Sequence, residues 1–68
     1  MPLVQITLAR GRTPEQLAAL GEAVTAAVHE SIGAPVANVR VVVTECEPEL
    51  WFIGGESMAA LRAAGKRT

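Results

Sequence analysis

Hydrophobic and polar positions along the chain fall into three periodic stretches. Between Leu3 and Leu8, the residues Val4, Ile6 and Leu8 alternate with Leu3, Gln5 and Thr7. This is the period-two pattern of a strand with one strongly apolar face and one mixed face. The period then changes. Leu17, Leu20, Val24, Ala27, Val28 and Ser31 form one stripe at helical spacing, while Glu15, Glu22 and His29 recur every seven residues on the opposite side. Thr13-Pro14-Glu15-Gln16 supplies the start: Thr13 as N-cap, Pro14 at the first helical position, and Gln16 to complete a capping box. Gly33 and Pro35 end the helix, so the spacing predicts a helix from about Pro14 to Ile32. After a short connection through Pro35–Asn38, period two returns. Val39, Val41 and Val43 oppose Arg40, Val42 and Thr44 in the most β-branched run of the chain, 39–45, which predicts a strand interior to a sheet.

Strand, long helix, strand is a βαβ unit, so the two strands are expected to be parallel with a right-handed crossover. The remainder is less periodic. Glu47-Pro48-Glu49 reads as a polar turn, and Leu50-Trp51-Phe52-Ile53 is a short apolar segment ending in Gly54-Gly55, consistent with a small hairpin or tight loop. Ser57–Ala64 is compatible with a short helix or an extended arm. The end, Gly65-Lys66-Arg67-Thr68, is expected to fray. The fold class is therefore α/β: two parallel strands and one long helix, plus a short C-terminal hairpin or arm, within a single domain spanning 1–68.

Composition adds a demand for partners. A chain of 68 residues is marginal as a monomer because it buries a small share of its surface. The one cysteine, Cys46, cannot close an internal disulfide, and one histidine leaves no His/Cys metal cluster. With half the residues hydrophobic, oligomerisation is the remaining remedy. A net charge of −1 argues against a general nucleic-acid surface. No apolar run is long enough to span a membrane, and no signal-type segment is present, so a cytoplasmic protein is expected.

Candidate chemistry sits at the amino end and on the arginines. Removal of Met1 leaves Pro2 with a free secondary amine at the head of an apolar strand. An α-amino group has a pKa of about 7.7–8.0; burial and nearby cations lower it, towards the range of a general base at neutral pH. Arg40 interrupts a valine run, and a partly buried guanidinium needs an anion or good acceptors. Arg10 and Arg12 flank Gly11 at the far end of the first strand. At about 3.3 Å per residue, that end lies more than about 25 Å from Pro2. A site that uses Pro2 with Arg12 therefore joins two chains. His29 falls on the solvent side of the helix, and Cys46 has no activating neighbour in sequence. There is no P-loop, dinucleotide fingerprint or Ser/His/Asp set.

With these residues in view, the chain resembles the 4-oxalocrotonate tautomerase family of the tautomerase superfamily. The resemblance rests on Met1-Pro2, Gly11-Arg12-Thr13 with Glu15-Gln16, Ala34-Pro35, Val39-Arg40-Val41 running to Thr44-Glu45, and Ile53-Gly54-Gly55-Glu56. It implies a tautomerase/MIF-like protomer completed by oligomerisation, usually as a hexamer built as a trimer of dimers, with no metal or organic cofactor. It implies Pro2 as catalytic base, and Arg12 and Arg40 as the arginines that bind and polarise a small carboxylate substrate. It also implies Trp51 in the apolar wall, where phenylalanine is usual. Asn38 takes the place of a small hydroxyl residue and counts with the substrate-binding positions. Phe52 replaces a glycine, and Ala9-Arg10 replaces a leucine and an acidic residue, adding positive charge near the expected mouth. The implied activity is keto–enol tautomerisation of unsaturated 2-hydroxy or 2-oxo carboxylates such as 2-hydroxymuconate. Two rivals stand beside it: hydratase, dehalogenase or decarboxylase chemistry with a cationic Pro2 as acid, and a non-catalytic oligomeric module if Met1 is retained.

Overall fold

In the computed structural model, which describes residues 1–66, the first strand β1 is Leu3–Ala9, the long helix α1 is Pro14–Ile32 and the second strand β2 is Arg40–Cys46. The start of α1 is the capping box expected from the sequence. The Gln16 amide donates to Thr13 Oγ1 at 3.1 Å, and the Thr13 amide donates to Gln16 Oε1 at 3.0 Å. Two of the backbone donors that a helix start leaves orphaned are thereby satisfied. Gly33 closes the other end, its N–H donating to the His29 carbonyl at 2.9 Å.

The strands pair in parallel, from Leu3 opposite Arg40 to Ala9 opposite Cys46. The ladder continues at both ends: the Arg40 amide donates to the Pro2 carbonyl at 2.9 Å, and the Arg10 amide to the Cys46 carbonyl at 2.8 Å. β2 begins one residue later than the valine pattern suggests. Val36–Asn38 forms one turn of 3₁₀ helix, and the Val39 amide donates to the Val36 carbonyl rather than to β1. Val39 thus closes a turn before the ladder starts.

Burial follows the alternation. Val4, Ile6, Leu8, Val41 and Val43 are half-buried on the side covered by α1, while Leu3, Gln5, Thr7, Arg40, Val42 and Thr44 are exposed on the other. On α1, Leu17, Leu20, Val24 and Val28 are half-buried as expected, but Ala27 and Ser31 are exposed and Gly21 and Thr25 take their share of the inner stripe. Among the described residues only Ala9 and Leu61 count as buried, at 9% and 8% exposure, and none is fully buried. The protomer's own core is unfinished, as the length and composition imply.

The C-terminal segment resolves the alternatives left open by its sequence. Pro48–Leu50 is a second 3₁₀ turn, and Phe52–Ile53 (β3) pairs antiparallel with Glu56–Ser57 (β4) across Gly54-Gly55. Helix α2, Met58–Ala63, follows at once, with Ser57 Oγ accepting from the Ala60 amide at 3.1 Å. Its end is held rather than frayed. Gly65 N–H donates to the Arg62 carbonyl at 3.0 Å and Lys66 N–H to the Leu61 carbonyl at 2.8 Å, a Schellman closure. Arg67 and Thr68 lie outside the described residues. No helix among those described is long and apolar enough to cross a membrane.

Candidate active site

The parallel register sorts the candidate residues into two groups at opposite ends of β1. At its start, Pro2 is half-buried and shares a backbone hydrogen bond with Arg40. The Arg40 side chain is exposed, because it stands on the sheet face that α1 leaves open. The partly buried guanidinium expected from the valine run is therefore not found within one protomer. Arg40 is nevertheless directed: Nη1 donates to the Ala37 carbonyl at 2.9 Å. The Val36–Asn38 turn presents that carbonyl, so one of the five guanidinium N–H groups is held by backbone and the others remain for an acceptor. Asn38 belongs to the same turn, exposed, its amide donating to the Pro35 carbonyl at 2.9 Å. Pro2, Asn38 and Arg40 thus share one end of the sheet.

Arg12 lies at the other end, exposed, just beyond the Arg10–Gly11 turn. Trp51 is also at this end, half-buried after the Pro48–Leu50 turn, its carbonyl accepting from the Met58 amide at 2.7 Å. Seven strand residues separate the two groups, so Arg12 and Trp51 do not reach the Pro2 of their own chain. Arg10 corrects an expectation. Its Nε donates to Glu47 Oε1 at 2.6 Å, and Nη1 lies 3.5 Å from Glu45 Oε1. The hydrogen bond to Glu47, then the charges of Glu47 and Glu45, hold its pKa above the ordinary arginine value. Arg10 stays cationic, but two carboxylates offset its charge, so it does not add a free positive charge at the mouth.

The remaining candidates have structural work. His29 Nδ1 donates to the Ala34 carbonyl at 2.7 Å; a carbonyl only accepts, so the hydrogen is on Nδ1. Cys46 is half-buried, with only a 3.6 Å contact from Sγ to the Glu47 carbonyl. Among the described residues no group of three or more His, Cys, Asp or Glu side chains is placed to hold a metal ion. An open groove of about 540 Å³ runs between α1 and the start of β2, lined by Ala18, Gly21, Glu22, Thr25, Ala26, Val36 and Val41. None of the candidate residues lines it.

A proline at the head of β1 with Arg40 at the same sheet end, in a parallel βαβ unit with Arg12 at the far end, can now be compared with known proteins. The family model for tautomerase enzymes matches residues 2–61. The chain belongs to the tautomerase family. It is accordingly an enzyme of the isomerase class, similar to 4-oxalocrotonate tautomerases. It is 46% identical over 61 residues to the 2-hydroxymuconate tautomerase of Comamonas testosteroni, covering 90% of this chain and 97% of that one. Among solved structures, a 4-oxalocrotonate tautomerase homologue of the tomaymycin biosynthetic pathway superposes with a TM-score of 0.88 at 58% identity, over 91% of this chain and 95% of that one. A heterohexameric 4-oxalocrotonate tautomerase from Chloroflexus aurantiacus superposes at 0.86 with 44% identity, over 91% and 100%.

One residue of this neighbourhood escaped the reading of the sequence. Arg62, on α2, donates from Nη1 to the Arg10 carbonyl at 2.6 Å. The only local signal was a basic residue in the last turn of a short helix, an arrangement that usually just complements the helix dipole.

Proposed function

We propose that the chain, once Met1 is removed, is a 4-oxalocrotonate tautomerase-like isomerase that moves a proton within small unsaturated 2-hydroxy or 2-oxo carboxylates such as 2-hydroxymuconate. The observation that carries this reading is the register of the strands, which sets Pro2 directly beside Arg40. Met1 is 81% exposed and precedes the ladder, so its loss leaves the Arg40–Pro2 backbone bond intact. Pro2 is then a terminal secondary amine at the sheet end that also carries Arg40. It takes a proton from the enol hydroxyl, or from a carbon acidified by an adjacent carbonyl, and returns it to a conjugated carbon. Arg40 stabilises the oxygen on which charge develops, as a preorganised donor. Arg12 of another subunit anchors the distal carboxylate and fixes its orientation. Trp51 excludes water, which strengthens both interactions, and Asn38 borders the substrate at the Arg40 end.

Residues 1–68 act as one domain, and the working unit is a homo-oligomer, a hexamer built as a trimer of dimers. The unfinished core and the opposite placement of Pro2 and Arg12 support an oligomer, and the heterohexameric Chloroflexus relative supports six subunits.

Intact mass of the purified protein, followed by ultraviolet assays, tests the reading. The mass should lack Met1. Pro2→Ala should lower turnover of 2-hydroxymuconate by at least about 10²-fold, the lower end of general-base contributions. Arg12→Ala should weaken use of this dicarboxylate and hurt the monocarboxylate phenylenolpyruvate much less. Retained Met1 in an active protein, or wild-type turnover by Pro2→Ala, would falsify the assignment of the base.

A further inference from the structure

The carboxylate-anchoring role given above to Arg12 asks a flexible side chain on an exposed turn to hold one position. Backbone contacts around that turn show how it is held. The Arg10 amide is fixed to the Cys46 carbonyl of β2 at 2.8 Å, and the Arg10 carbonyl accepts from Arg62 Nη1 at 2.6 Å. Both backbone polar groups of Arg10, the residue before Gly11, are therefore occupied, the N–H by β2 and the C=O by α2. Gly11 itself adopts φ +147°, a conformation L side chains rarely take, and a Cβ placed there would meet Arg62 Nη1 at 3.2 Å. A side chain at Gly11 would press on the guanidinium and make it give by a few tenths of an ångström. Arg12 follows immediately, and Thr13 begins the capping box of α1. Gly11 and Arg12 are thus the two-residue link between fixed points at Arg10 and Thr13.

The clamp is itself anchored. Helix α2 has Ser57 at its start, Leu61 buried in its middle and a Schellman closure at its end. The same helix binds the Trp51 carbonyl through the Met58 amide. It therefore braces the arginine turn and the tryptophan wall as one piece, although the two are far apart in sequence.

We propose that Arg62 is a positioning residue for the substrate-carboxylate anchor: by holding the Arg10 carbonyl, it fixes the Arg10–Gly11–Arg12 turn in the geometry that presents Arg12. This rests on the tautomerase reading above. Arg62 touches no substrate, and its effect passes entirely through Arg12. Its loss costs orientation of the distal carboxylate and leaves the proton transfer at Pro2 unchanged.

The test uses the processed full-length protein in its assembled state. Arg62→Met keeps the aliphatic stem and removes the donor. The KM for 2-hydroxymuconate should rise about 5- to 10-fold, the net scale of one ordinary hydrogen bond, because the bond acts on the anchor only through the turn. The kcat should stay within about twofold of wild type, since only an anchoring interaction made equally in ground and transition states is lost. The KM for phenylenolpyruvate, which lacks the distal carboxylate, should be unchanged. In an Arg12→Ala background, Arg62→Met should add nothing, because coupled residues are not additive. Arg62→Lys should recover part of the loss. Amide exchange at Gly11 and Arg12 should quicken in Arg62→Met while that of mid-α1 stays as in wild type, a readout independent of substrate. Wild-type KM, equal losses for both substrates, or an additive loss on top of Arg12→Ala would overturn the proposal, as would unchanged exchange at Gly11 and Arg12. If Arg62→Met fails to fold, Arg62→Lys takes its place: a raised KM for the dicarboxylate alone, with faster exchange at Gly11 and Arg12, supports the proposal, and wild-type values of both refute it. Failure of the Pro2→Ala control speaks against the tautomerase reading, while the exchange data still decide whether Arg62 holds the turn.

Discussion

Substitution of Val42 by glutamate should take the enzyme apart without unfolding the βαβ unit. Val42 sits in the middle of β2, opposite Gln5, on the sheet face that α1 does not cover. It is 48% exposed in the protomer, with Leu3 of the same face at 57%. Full burial of a valine contributes about 1.5–3 kcal/mol. Covering the exposed half of Val42 against another copy therefore contributes about 1 kcal/mol per subunit on that scale. Glutamate forfeits this gain and brings a carboxylate into the contact, where an unpaired charge costs several kcal/mol after relaxation. A combined loss of about 3 kcal/mol or more per subunit lowers the association constant by over about 100-fold.

Sedimentation velocity at micromolar protein reads the assembly directly, with turnover of 2-hydroxymuconate measured on the same samples. Val42→Glu should sediment as smaller species and lose activity in parallel, since on the proposed reading Arg12 reaches Pro2 only across a subunit boundary. Val42→Thr, near in shape, should remain assembled. Far-ultraviolet circular dichroism should retain the α1 signal, because Val42 faces away from the helix. If Val42→Glu sediments and turns over like wild type, the open sheet face is not an assembly surface, and the link drawn here between the incomplete core and the site is wrong.

Other expected outcomes are local. Thr13→Ala removes one half of the capping box and should lower stability by about 1 kcal/mol, read as a shift in the denaturant midpoint at unchanged slope. Gly33 has φ +73°, so Gly33→Ala should cost about 1 kcal/mol, and Gly33→Asn, which tolerates that region better, should cost less in the same titration.

What the sequence revealed and what it withheld divide along contact distance. The capping box, the end of α1 and the alternating faces of both strands depend on residues a few positions apart, and the structure places them as the periodicity indicates. The start of β2 moved by one residue because Val39 has two satisfactory options: a rung of the ladder, or the closing hydrogen bond of the preceding 3₁₀ turn. A run of valines does not distinguish them. Arg10 was misjudged for a different reason. Its partner Glu47 is 37 positions away, and only the parallel register, which puts Ala9 opposite Cys46, brings the two strand ends together. Arg62 was missed because its acceptor is a backbone carbonyl 52 positions distant, and a carbonyl leaves no mark in an amino-acid sequence. Among the candidate site residues, Pro2 and Arg40 could be paired from topology alone. The burial expected for Arg40 could not, since it depends on what covers the open sheet face.

The two arginines show a common device. Arg40 donates to the Ala37 carbonyl, and the turn that carries Arg12 is held through the Arg10 carbonyl by Arg62. In each case a backbone acceptor, itself locked in a turn or ladder, limits where a guanidinium can point. That matters for a protein so small. With only two buried hydrophobic side chains among its described residues, the protomer has little core with which to stiffen long side chains, and each ordered arginine forfeits rotamer entropy. Fixing them through backbone carbonyls needs no core. It also leaves both groups aimed outward from the protomer, at opposite ends of one strand. On the proposed reading, a site that needs both ends is completed by the same contacts that finish the core, which couples assembly to the orientation of the reacting groups.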